Sequence, residues 1–235
     1  MTRFLLRLSG VSKEYRALRP LRIARLDVAP GDQLAIVGLD RPAAEVFINL
    51  ATGATLPDRG EVSAFGRLTA AIEDSADWLA TLDRFGIVSE RAVLLESLTV
   101  TQNLAVPFSL EIEPPPAAVQ SRVEALADEV GLGAVEWGRP VSDLGPSARL
   151  RVRFARALAL EPALLLLEHP SVGLAEGDAA RLGRELRAVA ERRGIAALTL
   201  TADPQFAAAM AARVLTLEPA TGRLIEGGRR WFRRA

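Results

Sequence analysis

Alternating apolar and polar stretches divide this chain into strands and helices. Short apolar runs between turn residues predict strands, and apolar residues spaced three and four apart predict helices. The predicted strands cover residues 3–8, 21–28, 33–37, 61–65, 86–89, 164–167, 195–201 and 213–218. The predicted helices cover residues 43–52, 75–84, 117–130, 147–160, 176–193 and 204–212.

The order of these elements predicts an α/β fold. Strands and helices alternate at both ends of the chain, and residues 95–155 are mainly helical. Residues 164–167 are all leucine, which is typical of a strand buried on both faces of a sheet. We therefore expect a central sheet flanked by helices, with an inserted helical lobe.

Composition and charge narrow the possible functions. The chain has no cysteine and one histidine, His169, which excludes disulfides, zinc-thiolate sites and multi-histidine metal centres. Its 29 basic and 29 acidic residues balance, so a nucleic-acid partner is not expected. No apolar run approaches the ~20 residues of a membrane span, and the first residues are too soon polar for a secretion signal. We expect a cytoplasmic protein that reaches a membrane only by docking.

The segment after the third predicted strand holds the first candidate site. The sequence VGLDRPAAEVF joins the strand QLAIV to a helix, which is a frame that many nucleotide-binding proteins use to hold phosphate. A phosphate-binding loop needs glycines, a lysine and a hydroxyl, and this loop has almost none of them. Asp40 can cap the helix, Pro42 suits its first turn and Glu45 suits its positive end. An ordinary helix start is the favoured interpretation.

The order of landmarks, from VSKEY to RVLTLEPATGRL, resembles the ATP-binding subunit of ABC transporters along nearly the whole chain. The resemblance implies a P-loop NTPase-like core sheet, an N-terminal antiparallel β subdomain and an inserted helical subdomain, all within one domain of residues 1–235. The family's phosphate loop, G-x-x-G-x-G-K-[ST], falls on Gly38, Arg41, Ala43, Ala44 and Glu45. The inner glycines, the lysine and the metal-binding hydroxyl of the family are therefore replaced.

The family's other motifs are altered as well. Glu90 stands where the family has a metal-contacting glutamine, and Ala202 stands where it has a switch histidine. In the sequence LLLLEHP, Glu168 replaces a metal-binding aspartate and His169 replaces the glutamate base. The family's L-S-G-G-Q signature falls on Leu144, Gly145, Pro146, Ser147 and Ala148.

Three features leave alternatives open. Tyr15 lies where the family stacks an aromatic ring on adenine, but a half-buried strand residue explains it equally well. His169 can accept a proton, although a structural role fits better because nothing recognisable holds phosphate beside it. The tail GGRRWFRRA, residues 227–235, suits an anionic membrane surface, nucleic acid or an acidic partner groove, and a frayed, solvated terminus is at least as good an interpretation.

The resemblance and its departures lead to one leading hypothesis. We expect a degenerate subunit that lacks ATPase activity, lies at the inner face of the membrane, and partners a homologous ATPase subunit, a membrane permease, or both. No metal or cofactor is expected, with ATP and Mg²⁺ as candidates only if a nucleotide site survives. In the family a short permease helix docks in a groove, and the matching segment 86–108 contains Glu90, Leu94 and Leu98. Both leucines are expected to be exposed, and the alternative is that they belong to the core. The alternatives are a divergent but active transporter ATPase and a soluble scaffold or nucleic-acid-associated regulator.

Overall fold

The computed structural model describes residues 4–175 and 177–227, and within these ranges the strands form two sheets. The strands are β1 (Leu6–Lys13), β2 (Leu21–Val28), β3 (Gln33–Val37), β4 (Arg59–Ala64), β5 (Arg67–Leu68), β6 (Phe85–Val88), β7 (Leu164–Glu168), β8 (Ala196–Thr201), β9 (Arg213–Glu218) and β10 (Arg223–Glu226). The α-helices are α1 (Arg41–Ala51), α2 (Ser75–Leu82), α3 (Val100–Ala105), α4 (Ala117–Glu129), α5 (Ala134–Trp137), α6 (Pro146–Leu158), α7 (Asp178–Arg192) and α8 (Pro204–Met210). This architecture confirms the predicted α/β class.

The two sheets have different topologies. The smaller has the order β2-β1-β4-β5 and is antiparallel, which confirms the expected N-terminal β subdomain. The larger has the order β10-β9-β3-β8-β7-β6, and only β10 is antiparallel to its neighbour. Val37 at the end of β3 is opposite Thr201, and Leu167 in β7 is opposite Val88. The loops that follow β3, β6, β7 and β8 therefore lie at one edge of the sheet.

Two large apolar cores, with a small third cluster of Ala35, Ala207 and Ala211, hold the described elements together. One lies between the antiparallel sheet, α1 and the parallel sheet, and it contains the fully buried Phe47. The other joins the parallel sheet to α7 and to the helical lobe, which we define as α3 to α6, and it contains the fully buried Phe154. All five residues of β7 are buried, as its apolar sequence predicts.

Ion pairs fasten the helical lobe to the sheet core. The guanidinium of Arg193, just after α7, donates to both carboxylate oxygens of Glu129 in α4, at 2.9 and 2.6 Å. Arg151 in α6 donates to the carbonyl of Val130 and also to the carboxylate of Glu185 in α7. These contacts connect three helices at the junction between lobe and core.

The observed elements differ from the predicted ones where the sequence is polar. The first strand was predicted at residues 3–8 but lies at Leu6–Lys13, because its polar second half pairs by backbone with β2 and, in part, β4. The edge strand β10 was missed because three of its four residues are exposed and only one is partly buried. Helix α3 was not assigned as a helix, although Thr99 and Gln102 form a capping box at its start.

Among the described residues, no helix combines the length and hydrophobicity that a membrane span requires. The basic and aromatic tail was predicted to start at residue 227. Residues 228–235, which include Trp231 and Phe232, lie outside the described residues.

Candidate functional site

Helix α1 begins three residues after β3, and its first turn uses the amide groups that a phosphate loop would present. The Asp40 carboxylate accepts a hydrogen bond from the backbone N–H of Ala43 at 2.8 Å, and the Asp40 carbonyl accepts one from Ala44 at 2.9 Å. Pro42 has no N–H to donate. The structure therefore confirms that this loop is a capped helix start.

Gly38 keeps the first glycine of the family's loop, and the structure shows why a glycine is needed there. Its φ of 98° lies in the left-handed region, and a Cβ there would lie 3.2 Å from the carbonyl oxygen of Leu217. At the position of the family's lysine, Ala44 is fully buried in the apolar core beside α1. This position therefore contributes to packing and carries no charge.

An arginine that the sequence interpretation missed occupies the centre of the site. Arg91 lies in the loop after β6, and its Nη2 donates to Oε2 of Glu168 at 2.8 Å, while its Nε donates to the same oxygen at 3.2 Å. Its Nη1 donates to Oε1 of Glu45 at 3.0 Å. One guanidinium thus joins Glu45, which the sequence comparison predicts at the family's metal-hydroxyl position, to Glu168, which it predicts at the metal-binding acid position.

Glu168 accepts three hydrogen bonds in this network, all of them through Oε2. The carboxylate is buried at the end of β7, and the third of these hydrogen bonds, at 2.7 Å, comes from the Ser89 hydroxyl. A second, more exposed pair joins Arg41 to Glu90 at 3.6 Å. The predicted residues Arg41, Glu45, Glu90 and Glu168 are therefore brought together, but as partners of one another and of Arg91.

The sequence contained one signal for Arg91. Glu168 follows four leucines of a strand that is expected to be buried, and a buried carboxylate requires a cation nearby because it is costly without a partner. Arg41, a basic residue of the first motif, pairs with Glu90 instead.

His169 lies between two cavities, and within residues 4–175 and 177–227 it lacks the orienting partner that a catalytic base needs. It is 8% exposed, its φ is 42°, and its backbone N–H donates to the carbonyl of Leu200 at 2.8 Å. Its Nε2 has no hydrogen-bond partner among the described residues. A cavity of about 230 Å³ on one side is lined by Glu45, Arg91 and Glu168, among others. In the part of the chain that the structure describes, no acidic or hydroxyl group orients the ring for proton transfer.

The signature-like residues begin helix α6. Gly145 is the N-cap and Pro146 is in the first turn, while Leu144 is buried. Ser147 Oγ lies 3.5 Å from the carboxylate of Asp178, and Ala148 packs against the lobe core. Leu144 and Pro146 share a cavity of about 370 Å³ with His169.

Two predicted residues lie apart from this cluster. Ala202 is exposed just after β8, and the next residue, Asp203, caps α8 through the N–H groups of Gln205 and Phe206. Tyr15 lines a separate cavity of about 150 Å³ with Gly38. Burial, with a smaller effect from the charge of Asp40, raises the pKa of Tyr15. The ring is half-buried as predicted, but it lies after β1 and not within a strand.

The docking segment needs one correction. Leu94 was expected to be exposed, but it is 3% exposed and packs in the core of the helical lobe, and Leu98 is partly buried. The exposed apolar side chains of this segment are Val93, at 70%, and Leu95, at 41%. The fully buried Asn103 fixes the loop by bonding to both backbone groups of Leu95.

The residues of this site do not fit a magnesium–triphosphate complex. The family's ligand needs a lysine, a hydroxyl and free backbone amides, whereas this chain presents Ala44, Glu45 and a capped helix start. The described residues contain no group of three or more acidic or histidine side chains that could hold a metal ion. The guanidinium of Arg91 supplies the positive charge between Glu45 and Glu168.

Comparisons with known proteins agree with the fold. No protein-family model matches the chain. The chain is 32% identical over 191 residues to the lipoprotein-releasing system ATP-binding protein LolD of Alcanivorax borkumensis, covering 81% of this chain and 83% of that protein. It is 31% identical over 213 residues to the sulfate/thiosulfate import ATP-binding protein CysA of Caulobacter vibrioides, covering 88% of this chain but only 60% of that protein.

Solved structures give the same result at the level of the fold. The structure of cbiO1 from Clostridium perfringens, part of the ABC transporter complex cbiONQ, matches with a TM-score of 0.79 and 20% identity, over 96% of this chain and 88% of that chain. The ADP- and phosphate-bound dimer of the ATP-binding cassette MJ0796 matches with a TM-score of 0.73 and 20% identity, over 94% of this chain and 98% of that chain. The identity and coverage shared with LolD, together with this fold, place the chain in the family of ATP-binding subunits of ABC transporters.

Proposed function

We propose that this subunit does not hydrolyse ATP and acts as a structural or regulatory partner within an ABC transporter. The observation that carries the proposal is the bridge from Arg91 to Glu45 and Glu168. A guanidinium shared by these two carboxylates places a positive charge where a metal ion would have to bind, and the capped start of α1 leaves few amides for phosphate.

The free energies of the missing hydrogen bonds support weak nucleotide binding. Charge-assisted hydrogen bonds are worth ~1.5–3 kcal/mol each, and two or three of them are missing at Ala44 and Glu45 and in the capped loop. This deficit corresponds to a loss of affinity of roughly a thousandfold or more. Stacking on Tyr15 would restore only ~1–3 kcal/mol.

The proposed partners are a homologous ATPase subunit and a membrane permease, met at the cytoplasmic face of the membrane. The docking groove, which we define as the cavity of about 420 Å³ between α2, β6 and α6, supports this assignment. Its walls include the apolar side chains of Phe85, Ile87 and Leu94, and the exposed Val93 lies on the same loop as Leu94. An apolar groove of this kind suits one face of a short helix.

Phosphate release with magnesium and millimolar ATP tests the proposal. The expected result is no turnover above that of a buffer blank and a negligible shift of the melting temperature, since a ligand stabilises in proportion to ln(1 + [L]/Kd). An active but divergent ATPase is the second candidate, because the unpartnered Nε2 of His169 lies beside a cavity. Turnover that disappears in His169→Ala would support that candidate and contradict the proposal.

A further inference from the structure

Two arginines of helix α6 line the docking groove. Arg153 and Arg156 lie three residues apart and so share one face of the helix. Both side chains are half-buried, and their neighbours in the groove are mainly apolar, including Phe85 and Leu160. The groove therefore combines an apolar wall with two cationic groups.

Neither arginine has a carboxylate partner within residues 4–175 and 177–227. Arg156 donates one hydrogen bond, from Nη1 to the backbone carbonyl of Val93 at 2.8 Å. Arg153 makes no hydrogen bond or ion pair there, and its buried Nε has no partner. Burial lowers the pKa of both guanidinium groups, which means that the fold disfavours their charge.

The acidic residues near Arg153 are already paired. Glu90 and Glu96 interact with Arg153 only through space. Glu90 pairs with Arg41 at 3.6 Å, and Glu96 forms a two-pronged pair with Arg149 at 3.0 and 2.8 Å. Asp83 also lines the groove, so two guanidinium groups are set against one carboxylate and leave a net positive charge, which a negative group from outside would neutralise.

We infer that the docking groove receives a helical segment of the membrane subunit, and that this segment inserts a carboxylate between Arg153 and Arg156. This inference rests on the proposed function and specifies the chemistry of the partner. A guanidinium binds a carboxylate through paired, charge-assisted hydrogen bonds, and the apolar wall fits the hydrophobic residues that flank the acid on the segment. A desolvated pair of this kind gives specificity because a neutral segment would leave both arginines buried and unpaired.

The test uses the tagged full-length chain co-expressed with its membrane subunit. The double variant Arg153→Met, Arg156→Met keeps the apolar stems and removes the charges, and Arg184→Met on the exposed side of α7 is the matched control. The expected result is that the double variant binds the membrane subunit roughly thirtyfold or more weakly, whereas the control binds normally. Alone, the double variant should melt at the same temperature as the original chain or higher, because both charges are half-buried without a carboxylate partner and water can replace the exposed hydrogen bond from Arg156 to Val93.

A photo-crosslinking side chain at Val93 identifies the bound segment. That segment should contain an aspartate or glutamate, and its replacement by the matching amide should weaken binding without adding to the effect of the double variant. If the double variant binds normally while Val93→Asp abolishes binding, the carboxylate anchor is wrong and groove docking stands. If Val93→Asp also binds normally, or no membrane subunit assembles with the chain, the docking part of the proposed function fails, and the anchor fails with it. Self-association that the double variant abolishes would make a second copy of this chain the occupant, and would also overturn the inference.

Discussion

The Nη2 and Nε of Arg91 both donate to one oxygen of the Glu168 carboxylate, at 2.8 and 3.2 Å. The first residue belongs to the loop after β6 and the second ends β7, so the pair joins two adjacent parallel strands at their carboxyl ends. The guanidinium of Arg91 therefore places a positive charge at this edge of the sheet. The pair also links the candidate site to the stability of the fold.

Replacing Arg91 with alanine should destabilise the protein. The buried Glu168 would keep only the hydrogen bond from Ser89, and Glu45 would lose its partner. Because Arg91 is partly exposed, we expect a loss of about 2 kcal/mol, below the 3–5 kcal/mol typical of fully buried pairs. Urea denaturation measures it. Arg67→Ala, which breaks the exposed pair with Asp77, is the control and should change stability much less. Equal effects of the two variants would contradict a structural role for Arg91.

Replacing Asp40 with alanine should remove the cap of α1. The N–H of Ala43 would lose its 2.8 Å hydrogen bond, and the expected cost is about 1 kcal/mol. Asp40→Asn keeps an acceptor at the same place and should retain most of the stability. If both variants lose the same amount, the charge of Asp40 and not its capping oxygen is what matters. Thermal denaturation of the three proteins makes the comparison.

The contact between Arg151 and Glu185 should make the protein less stable in acid. Burial raises the pKa of the Glu185 carboxyl, but hydrogen bonds from Arg151 and Arg181 outweigh it and hold the pKa below its ordinary value of 4.5. Since the folded state lowers this pKa, the stabilisation is complete above pH 4.5 and is lost as the pH falls through the folded value. The stability difference between the original chain and Glu185→Gln should therefore be largest near neutral pH and shrink below pH 4.5. A difference that stays constant across this range in denaturation experiments would rule out the effect.

Two neighbouring residues of the docking segment, Leu94 and Leu95, should differ in how much their replacement by aspartate destabilises the protein. Leu94→Asp places a charge in the core of the helical lobe and should cost about 3 kcal/mol or more, while Leu95→Asp should change stability little because Leu95 is largely exposed. Circular dichroism during urea titration measures both. Similar losses in the two variants would mean that Leu95 is also buried in solution.

Much of the fold was predictable because its central elements are strongly apolar. The strands at residues 21–28, 33–37 and 213–218 were predicted with their observed bounds, and β7 was predicted to within one residue. Elements with weak hydrophobic patterns were missed or displaced. Strand β10 is nearly all polar or exposed, and the second half of β1 forms by backbone pairing with strands distant in sequence.

The candidate site was predictable in its positions but not in its contacts. Comparison with a motif identifies the residues that stand at Ala44, Glu45 and Glu168, but it draws no attention to a residue outside the motif. Arg91 is such a residue, and only the three-dimensional arrangement of α1, β6 and β7 brings it to Glu45 and Glu168. For a similar reason, Leu94 was wrongly expected to be exposed, since a leucine in a loop is equally compatible with core and surface.

The bridge through Arg91 also limits which single substitutions this chain can accept at the candidate site. A lysine introduced alone at Ala44 would have to enter a fully buried apolar position beside carboxylates that Arg91 already neutralises. Removing Arg91 alone would strand two carboxylates, and replacing Glu45 alone would leave the guanidinium with one partner. Each single step towards a phosphate-binding site is therefore uphill in stability before any nucleotide can compensate. The network therefore opposes each single replacement that would rebuild a phosphate-binding site.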